Sequence, residues 1–466
     1  MKKGFLLAIG LIMIASSARS QKVFTPAELK QDFSILRKAL EEAHPGLYRY
    51  NSREKIRSEW AKIERQLNKG MTELEFFRLV NPFIAGIGDG HTKFHRDGKP
   101  DDYYAFFEDG YFPFQLYFRD RKAYVLRSYV QDAVLTAGTE IKSINGRNME
   151  DVLQQLFRQV LADGEVTSWK YEELSDQFAG YYATFLGSSK EFRIVYKEVM
   201  GKKGKLTVRG IKKSEIVKQP AANEGFQLTY PADKVALLRI AVFQEATEGG
   251  FASFLSTAFA EIKAKGITSL IIDLRGNEGG TDAFGFELYS YLALKPFRYY
   301  DRFTTASDGN FSFLQYASLP PQFDYLKQFI VKVGNEYRFT AKEGLDVQQP
   351  KADAFQHNVY ILQNGRSFSV TSEFAAIARE NGRAVFIGEE SGGTFQGNNS
   401  GAFAIVKLPN TKIGLAVPLL GYYMHLSPKN ANARGGVPVD HTLRPTVNDL
   451  LKNRDVVLEK ALQLIK

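Results

Sequence analysis

Residues 251–280 read FASFLSTAFAEIKAKGITSLIIDLRGNEGG, and they divide into three pieces of different period. The first places Phe251, Phe254, Leu255, Phe259 and Ile262 on one face of a helix. The second, ITSLIIDL, is a short continuous apolar run, as expected of a strand buried on both faces in a parallel sheet. The third is rich in glycine and ends the strand. Outward from this stretch the cycle repeats. KVALLRIAVF (234–243) reads as a strand ahead of the helix, and NVYILQNG (358–365), SEFAAIARENG (372–382) and AVFIGEE (384–390) read as strand, helix and strand behind it. Such alternation predicts an α/β domain of βαβ units over residues 226–466.

Upstream, the patterns differ. FTPAELKQDFSILRKAL (24–40) carries a capping box, with Thr25 at N-cap, Pro26 at N1 and Glu28 at N3, followed by Leu29, Phe33, Leu36 and Leu40 at helical spacing. Ser52 opens a second amphipathic run through Ile56, Trp60, Ile63 and Leu67, and Thr72 with Glu75 repeats the box before a third. Residues 21–95 therefore read as a helical cap. Between 111 and 208 the signals are short strands and turns: YFPFQLYF, KAYVLRSY, and LTAGTEIKSINGR with Asn145-Gly146 as a tight turn. This predicts a compact, mostly β module.

The first 20 residues, MKKGFLLAIGLIMIASSARS, combine two lysines, an apolar run from Gly4 to Ala15, and Ala18 and Ser20 at the positions of an export cleavage site before Gln21. The run falls short of the ~18–20 residues a membrane anchor needs, so the expectation is a signal peptide at 1–20 and a periplasmic protein with no membrane span. Loss of Lys2, Lys3 and Arg19 with that segment lowers the formal charge from +9 to +6. The remaining basic residues are dispersed, the tightest group being Lys202, Lys203 and Lys205, and form no clustered face for nucleic acid. The chain has no cysteine, which excludes disulfides, thiolate chemistry and cysteine-linked lipid.

Chemistry is expected after two strand ends. Gly276, Gly279 and Gly280 leave backbone amides free to face an anion. In ILQNGRSFSVTSEFAAIARENG (361–382) a strand ends near Gln363 and a helix starts near Val370, which sets Ser369 at a helix N-terminus that favours negative charge. The pair can form a nucleophile with an oxyanion hole. Read separately, the glycines serve a turn and the serines an N-cap.

Taken in order, LIIDLRGNEGG, GRSFSVTSEFAAIARENGRAVFIGEESGGT, GNNSGAFAIVKLPNTKIGLAVPL, GGVPVDHTLRPT and DVVLEKALQLI, with AHPGLYRY and GIGDGHT at the front, resemble the catalytic core of the tail-specific, or C-terminal processing, serine peptidases and their tricorn-core relatives. AGTEIKSINGR resembles the signature of PDZ domains embedded in bacterial proteases. The resemblance spans nearly the whole mature chain. It implies a multi-domain α/β protein: a crotonase-type, ClpP-like protease domain with a helical cap and a PDZ-like β module. It also implies a serine-type endopeptidase acting on peptides or protein tails, with no cofactor. It places the nucleophile on Ser369, leaves Ser367 and Ser372 as supporting hydroxyls, and draws oxyanion donors from Gly279, Gly280 and Val370.

The processing peptidases carry a basic lysine where this chain has Thr394, whereas the tricorn-like branch uses a histidine that falls on His91 in GDGHT. A neutral imidazole is a competent base near pH 7, and an ordinary one predicts activity falling as pH drops through about 6 to 7. The group orienting it is open between Asp89, Glu389 and Glu390, since Gly90 and Arg434 stand where the tricorn-like branch has a serine and a glutamate. His91 and His95 invite a metal reading, but on a strand they lie roughly 13 Å apart, and none is expected. GIGDG follows no strand and fails the dinucleotide fingerprint. The other function class left open is a non-catalytic binder of peptides or hydrophobic ligands on the same fold. Nothing in the sequence fixes the oligomeric state.

Overall fold

The computed structural model describes residues 22–96, 99–130, 135–216, 225–245 and 250–466; the export segment expected at residues 1–20 lies outside the described residues. Three helices open the chain: α1 (Pro26–Ala43), α2 (Arg53–Gln66) and α3 (Glu73–Ile87). Each starts where its cap predicts. The Glu28 carboxylate accepts Thr25 N–H at 2.7 Å while Thr25 Oγ1 accepts Glu28 N–H at 3.3 Å, and Thr72 and Glu75 repeat the exchange at 2.8 and 3.3 Å. Ser52 Oγ accepts Lys55 N–H at 3.2 Å. α3 stops on Gly88 at φ +82°, a left-handed stop that begins the GDGHT loop. Strand β1 (Lys93–Arg96) follows.

The next region holds β2 (Phe114–Arg119), β3 (Lys122–Ser128), β4 (Glu140–Ile144), α4 (Met149–Phe157), α5 (Ser168–Leu186), β5 (Glu191–Lys197) and β6 (Lys203–Arg209). The strands form one antiparallel sheet in the order β6-β5-β4-β3-β2, so β2 is an edge. Asn145 and Gly146 sit at φ +50° and +80°, as a tight hairpin turn requires. The mostly β reading fails at the two helices. α5 runs for 19 residues, buries Trp169, Leu174, Phe178, Tyr181 and Tyr182, and breaks phase at Gln177, where φ is −119°. Its aromatic residues resemble strand composition, and Thr167 supplies no side-chain cap to announce it. Phe33, Leu36, Trp60 and Phe76 of the first three helices share one continuous core with Phe112, Leu116, Phe118 and Phe178.

The α/β domain comprises β7 (Phe226–Ala232), β8 (Val235–Ile240), α6 (Gly250–Ala264), β9 (Ser269–Asp273), α7 (Asp282–Ser290), β10 (Tyr300–Thr305), β11 (Asn358–Gln363), α8 (Val370–Glu380), β12 (Val385–Gly388), β13 (Asn399–Lys407), β14 (Gly414–Met424), β15 (His441–Thr442) and α9 (Val456–Ile465). One sheet runs β7-β8-β9-β11-β12-β15, parallel from β8 onward. Its strands bury both faces. Leu270 and Ile272 share a core with Leu255 and Phe259 of α6 and with Phe374 of α8, while Ile271 joins Tyr360, Leu362 and Ile387 under Val457 and Ala461 of α9.

A second, antiparallel sheet is not legible in the sequence. It is built on β13, β14 and β10, and β1 joins the flank of β14 with Lys93 opposite Ala416, Phe94 opposite Leu415 and His95 opposite Gly414. That pairing carries the GDGHT loop from the N-terminal helices to the strand ends of the α/β domain.

Candidate active site

Ser369 lies between β11 and α8 with φ +55° and ψ −127°. A non-glycine residue there is held at a cost of about 1–3 kcal/mol, a strain the surrounding structure must over-determine. It occupies the N-cap position of α8, yet its side chain makes no capping hydrogen bond. Instead Ser369 Oγ lies 3.1 Å from His91 Nε2, across 278 residues of sequence. The neighbouring hydroxyls hold the turn: Ser367 Oγ donates to Leu274 O at 2.9 Å and accepts Asn364 N–H at 3.0 Å, and Ser372 Oγ donates to Ser367 O at 2.7 Å and accepts Gly393 N–H at 3.0 Å. These bonds fix the conformation that strains Ser369.

The GNEGG loop comes up against the same turn. Asn277 N–H bonds back to Leu274, its carbonyl accepts Phe368 N–H at 3.1 Å, and its side-chain oxygen accepts Gly279 N–H at 2.9 Å. Gly279 is thereby removed from the set of free oxyanion donors: a nearer acceptor within its own loop takes its amide. Its role is space. A Cβ at Gly279 would lie 2.7 Å from Ser369 Cβ and 3.0 Å from Val370 N. Gly280 N–H and Val370 N–H meet no acceptor among the described residues.

The His91 ring stacks on Phe368, with centroids 4.6 Å apart, and Phe368 packs on Trp169. Burial in this aromatic sleeve lowers the His91 pKa to about 4, with the Asp89 charge opposing the shift and Lys93 adding to it. The expected limb at pH 6 to 7 therefore moves down: the imidazole stays neutral well into the acid range.

Of the three acids considered as orienting groups, only Asp89 reaches His91. Asp89 Oδ1 accepts His91 N–H at 3.2 Å and lies 3.9 Å from Nδ1, which has no hydrogen-bond partner among the described residues. Glu389 instead pairs with Arg444 at 3.2 Å, and Glu390 accepts Gly436 N–H at 2.6 Å. Both sit just past β12, where those donors are nearer than the imidazole. Thr394, at the position of the lysine in one branch, donates to Gly397 O at 2.5 Å and meets the Tyr50 hydroxyl at 3.0 Å.

Two buried acids give no sequence signal. Asp163 Oδ1 accepts Gly90 N–H at 2.7 Å, and burial together with the Asp89 charge pushes its pKa up to about 8. Glu373, one turn into α8, accepts from Tyr300 Oη at 2.6 Å and Asn398 Nδ2 at 2.7 Å, and burial with the Asp282 charge raises it to about 7. Asp163 lies in no motif, and Glu373 lies within SEFAAIARENG, where nothing local marks it as buried. Donor atoms of Asp89, His91 and Asp163 lie within 4.8 Å of one another. Asp89 Oδ2, His91 Nε2 and Asp163 Oδ1 serve protein partners, while His91 Nδ1 and Asp163 Oδ2 meet none among the described residues. His95 is on β1 and outside that group.

A cleft of about 1150 Å³ separates β2 and α5 from the carboxyl ends of β8, β9, β11 and β12, with Gln115, Asp176, Arg239, Glu278, Asn364 and Arg366 among its lining. No helix among the described residues is long and apolar enough to cross a membrane.

Residues 234–438 match the model of peptidase family S41. No curated protein matches the chain. Among solved structures, mature CPAF complexed with lactacystin is similar at a TM-score of 0.66 and 16% identity, over 94% of this chain and 98% of that one. Mature CPAF alone gives a TM-score of 0.62 and 16% identity, over 91% and 94%. The photosystem II D1 C-terminal processing protease aligns over 90% and 94% at 15% identity and a TM-score of 0.40.

Proposed function

We propose, from the premise that this chain carries a serine-peptidase domain of family S41, that it is an exported endopeptidase in which Ser369 attacks the scissile carbonyl and His91 is its base. The observation that carries the reading is the 3.1 Å approach of His91 Nε2 to a Ser369 hydroxyl that caps nothing. His91 Nε2 takes the Ser369 proton as the Oγ–carbon bond forms. The oxyanion is held by Gly280 N–H and Val370 N–H at the positive end of α8. The imidazolium then gives its proton to the leaving amine, the peptide C–N bond breaks, and a water repeats the sequence on the acyl-enzyme.

Peptide delivery by the PDZ-like residues 111–208 is supported by the open edge of β2 beside α5 and by the cleft leading from them to Glu278, next to Gly279. A preference for C-terminal tails follows from that delivery. Export to the periplasm rests on the order of charged, apolar and small residues in 1–20. A fluorophosphonate probe tests the core of the reading: it labels the wild-type protein at Ser369 and leaves Ser369→Ala unlabelled. A purified, folded wild-type protein that takes no label and cuts no member of a peptide library contradicts it.

A further inference from the structure

His44, which ends α1 in the AHPGLYRY segment, belongs to no role assigned so far, although it is fully buried against the site. Its two ring nitrogens have unequal partners. Nδ1 accepts Gly46 N–H at 3.0 Å, so the proton resides on Nε2. Nε2 lies 2.9 Å from Asp89 Oδ2 and 2.8 Å from Thr92 Oγ1. The Thr92 hydroxyl itself donates to the same Asp89 oxygen in a short bond. Two donors thus pin Oδ2. Asp89 Oδ1, which among the described residues accepts only the backbone N–H of His91, is the oxygen 3.9 Å from His91 Nδ1. A turn of the carboxylate about its pinned oxygen would bring Oδ1 onto Nδ1–H.

The tight turn that supplies the Nδ1 bond is fixed in its own right. A Cβ on Gly46 would come 2.3 Å from Asn399 Nδ2, on β13 of the second sheet. α1 packs on that sheet, so His44 is presented to Asp89 from a rigid element rather than from a loop.

We propose that His44 is a positioning residue of the peptidase site: it holds Asp89 oriented, and through Asp89 sets the His91 tautomer that carries its proton on Nδ1 and leaves Nε2 free for Ser369. This rests on the Ser369–His91 reading above. A satisfied core histidine would explain the burial alone. It would not explain why both donors converge on the one carboxylate beside the base.

Burial alone would raise the Asp89 pKa; the hydrogen bond from His44, with that of the Thr92 hydroxyl behind it, opposes this and holds the carboxyl below its ordinary range. The other titratable groups facing Asp89 are Asp163 and Tyr50. Removing the His44 donor therefore raises the pH at which Asp89 protonates, and the acid limb of kcat/KM moves up.

The test compares wild type, His44→Leu, His44→Gln, Asp89→Asn and the His44→Leu/Asp89→Asn double variant in kcat, KM and pH profile, with fluorophosphonate labelling of wild type as the reference. His44→Leu is expected to lower kcat by roughly ten- to a hundredfold, the scale of an outer-shell hydrogen bond, with KM little changed and the acid limb shifted to higher pH. His44→Gln, whose amide N–H reaches the place of Nε2, should recover most of the rate. In the Asp89→Asn background His44→Leu should cost nothing further. A folded His44→Leu within about twofold of wild type, or an equal added loss in the Asp89→Asn background, overturns the proposal while labelled wild type leaves the peptidase reading standing. If His44→Leu fails to melt cooperatively, His44→Gln is compared with the shorter His44→Asn: equal rates overturn the role, and a slower Asn variant supports it. Unlabelled wild type removes the peptidase reading and this role together.

Discussion

Ser52 and Ser369 both stand at the first step of a helix, and they are used in opposite ways. Ser52 is extended, at φ −70° and ψ 158°, and its hydroxyl accepts the amide of Lys55. Ser369 has φ +55° and ψ −127°, and its hydroxyl turns away from α8 to His91. The first conformation satisfies the helix and leaves no reactive group. In the second, helix amides are left unpaired beside a hydroxyl, a combination that costs stability and is kept where charge develops during a reaction. Composition does not separate the two serines; backbone conformation and partner do.

The largest effect expected is on that contrast itself. Ser369→Ala should lower kcat by on the order of 10⁴- to 10⁶-fold, as removal of a serine nucleophile does elsewhere, with cooperative melting retained. Ser52→Ala should leave kcat unchanged. Gly279→Ala comes next: its Cβ would press within 2.7 Å of Ser369 Cβ, at a φ of +101° that side chains rarely adopt. A loss of about a hundredfold or more in kcat, the scale of disturbing one oxyanion contact, is expected from steady-state hydrolysis. Wild-type activity there would mean that the GNEGG loop does not shape the site.

The pH dependence sharpens the contrast from the side of the base. Because burial draws His91 to about 4, kcat/KM should hold through pH 6 and fall only near pH 4. Asp163 acts in the opposite direction on stability. Its pKa is raised in the folded state from 3.8 to about 8, so folding retains a proton over that window. Its contribution is present below about pH 4 and is lost as pH rises toward 8. Asp163→Asn should therefore flatten the decline of Tm between pH 5 and 8, and an unchanged slope in thermal melts would count against its burial as an acid. Smallest is Ser52→Ala, which should cost about 1 kcal/mol of stability by denaturant titration.

The capping boxes at Thr25 and Thr72, the strand-helix alternation after Phe226, and Ser369 at the start of α8 can be read from the sequence because each is written in neighbouring residues. His91 is reached through GDGHT and not through any local energetic signal. The pairing of Lys93–Arg96 with β14 is beyond reading, since its partners are more than 300 residues apart. α5 is hidden by aromatic residues placed on several faces. Asp163 lies in no motif and His44, though inside AHPGLYRY, has no local mark of its role; the low pKa of His91 is a product of burial under Phe368, which appears only once residues 91 and 368 meet.

On the proposed mechanism His91 is the base for a hydroxyl freed from its cap. It is tested most directly by kcat of His91→Ala on a peptide the wild-type enzyme cleaves, under conditions where the variant melts as wild type does. A fall on the order of 10³-fold or more is predicted for loss of the general base. Turnover within about tenfold of wild type would contradict it and move the base to another residue.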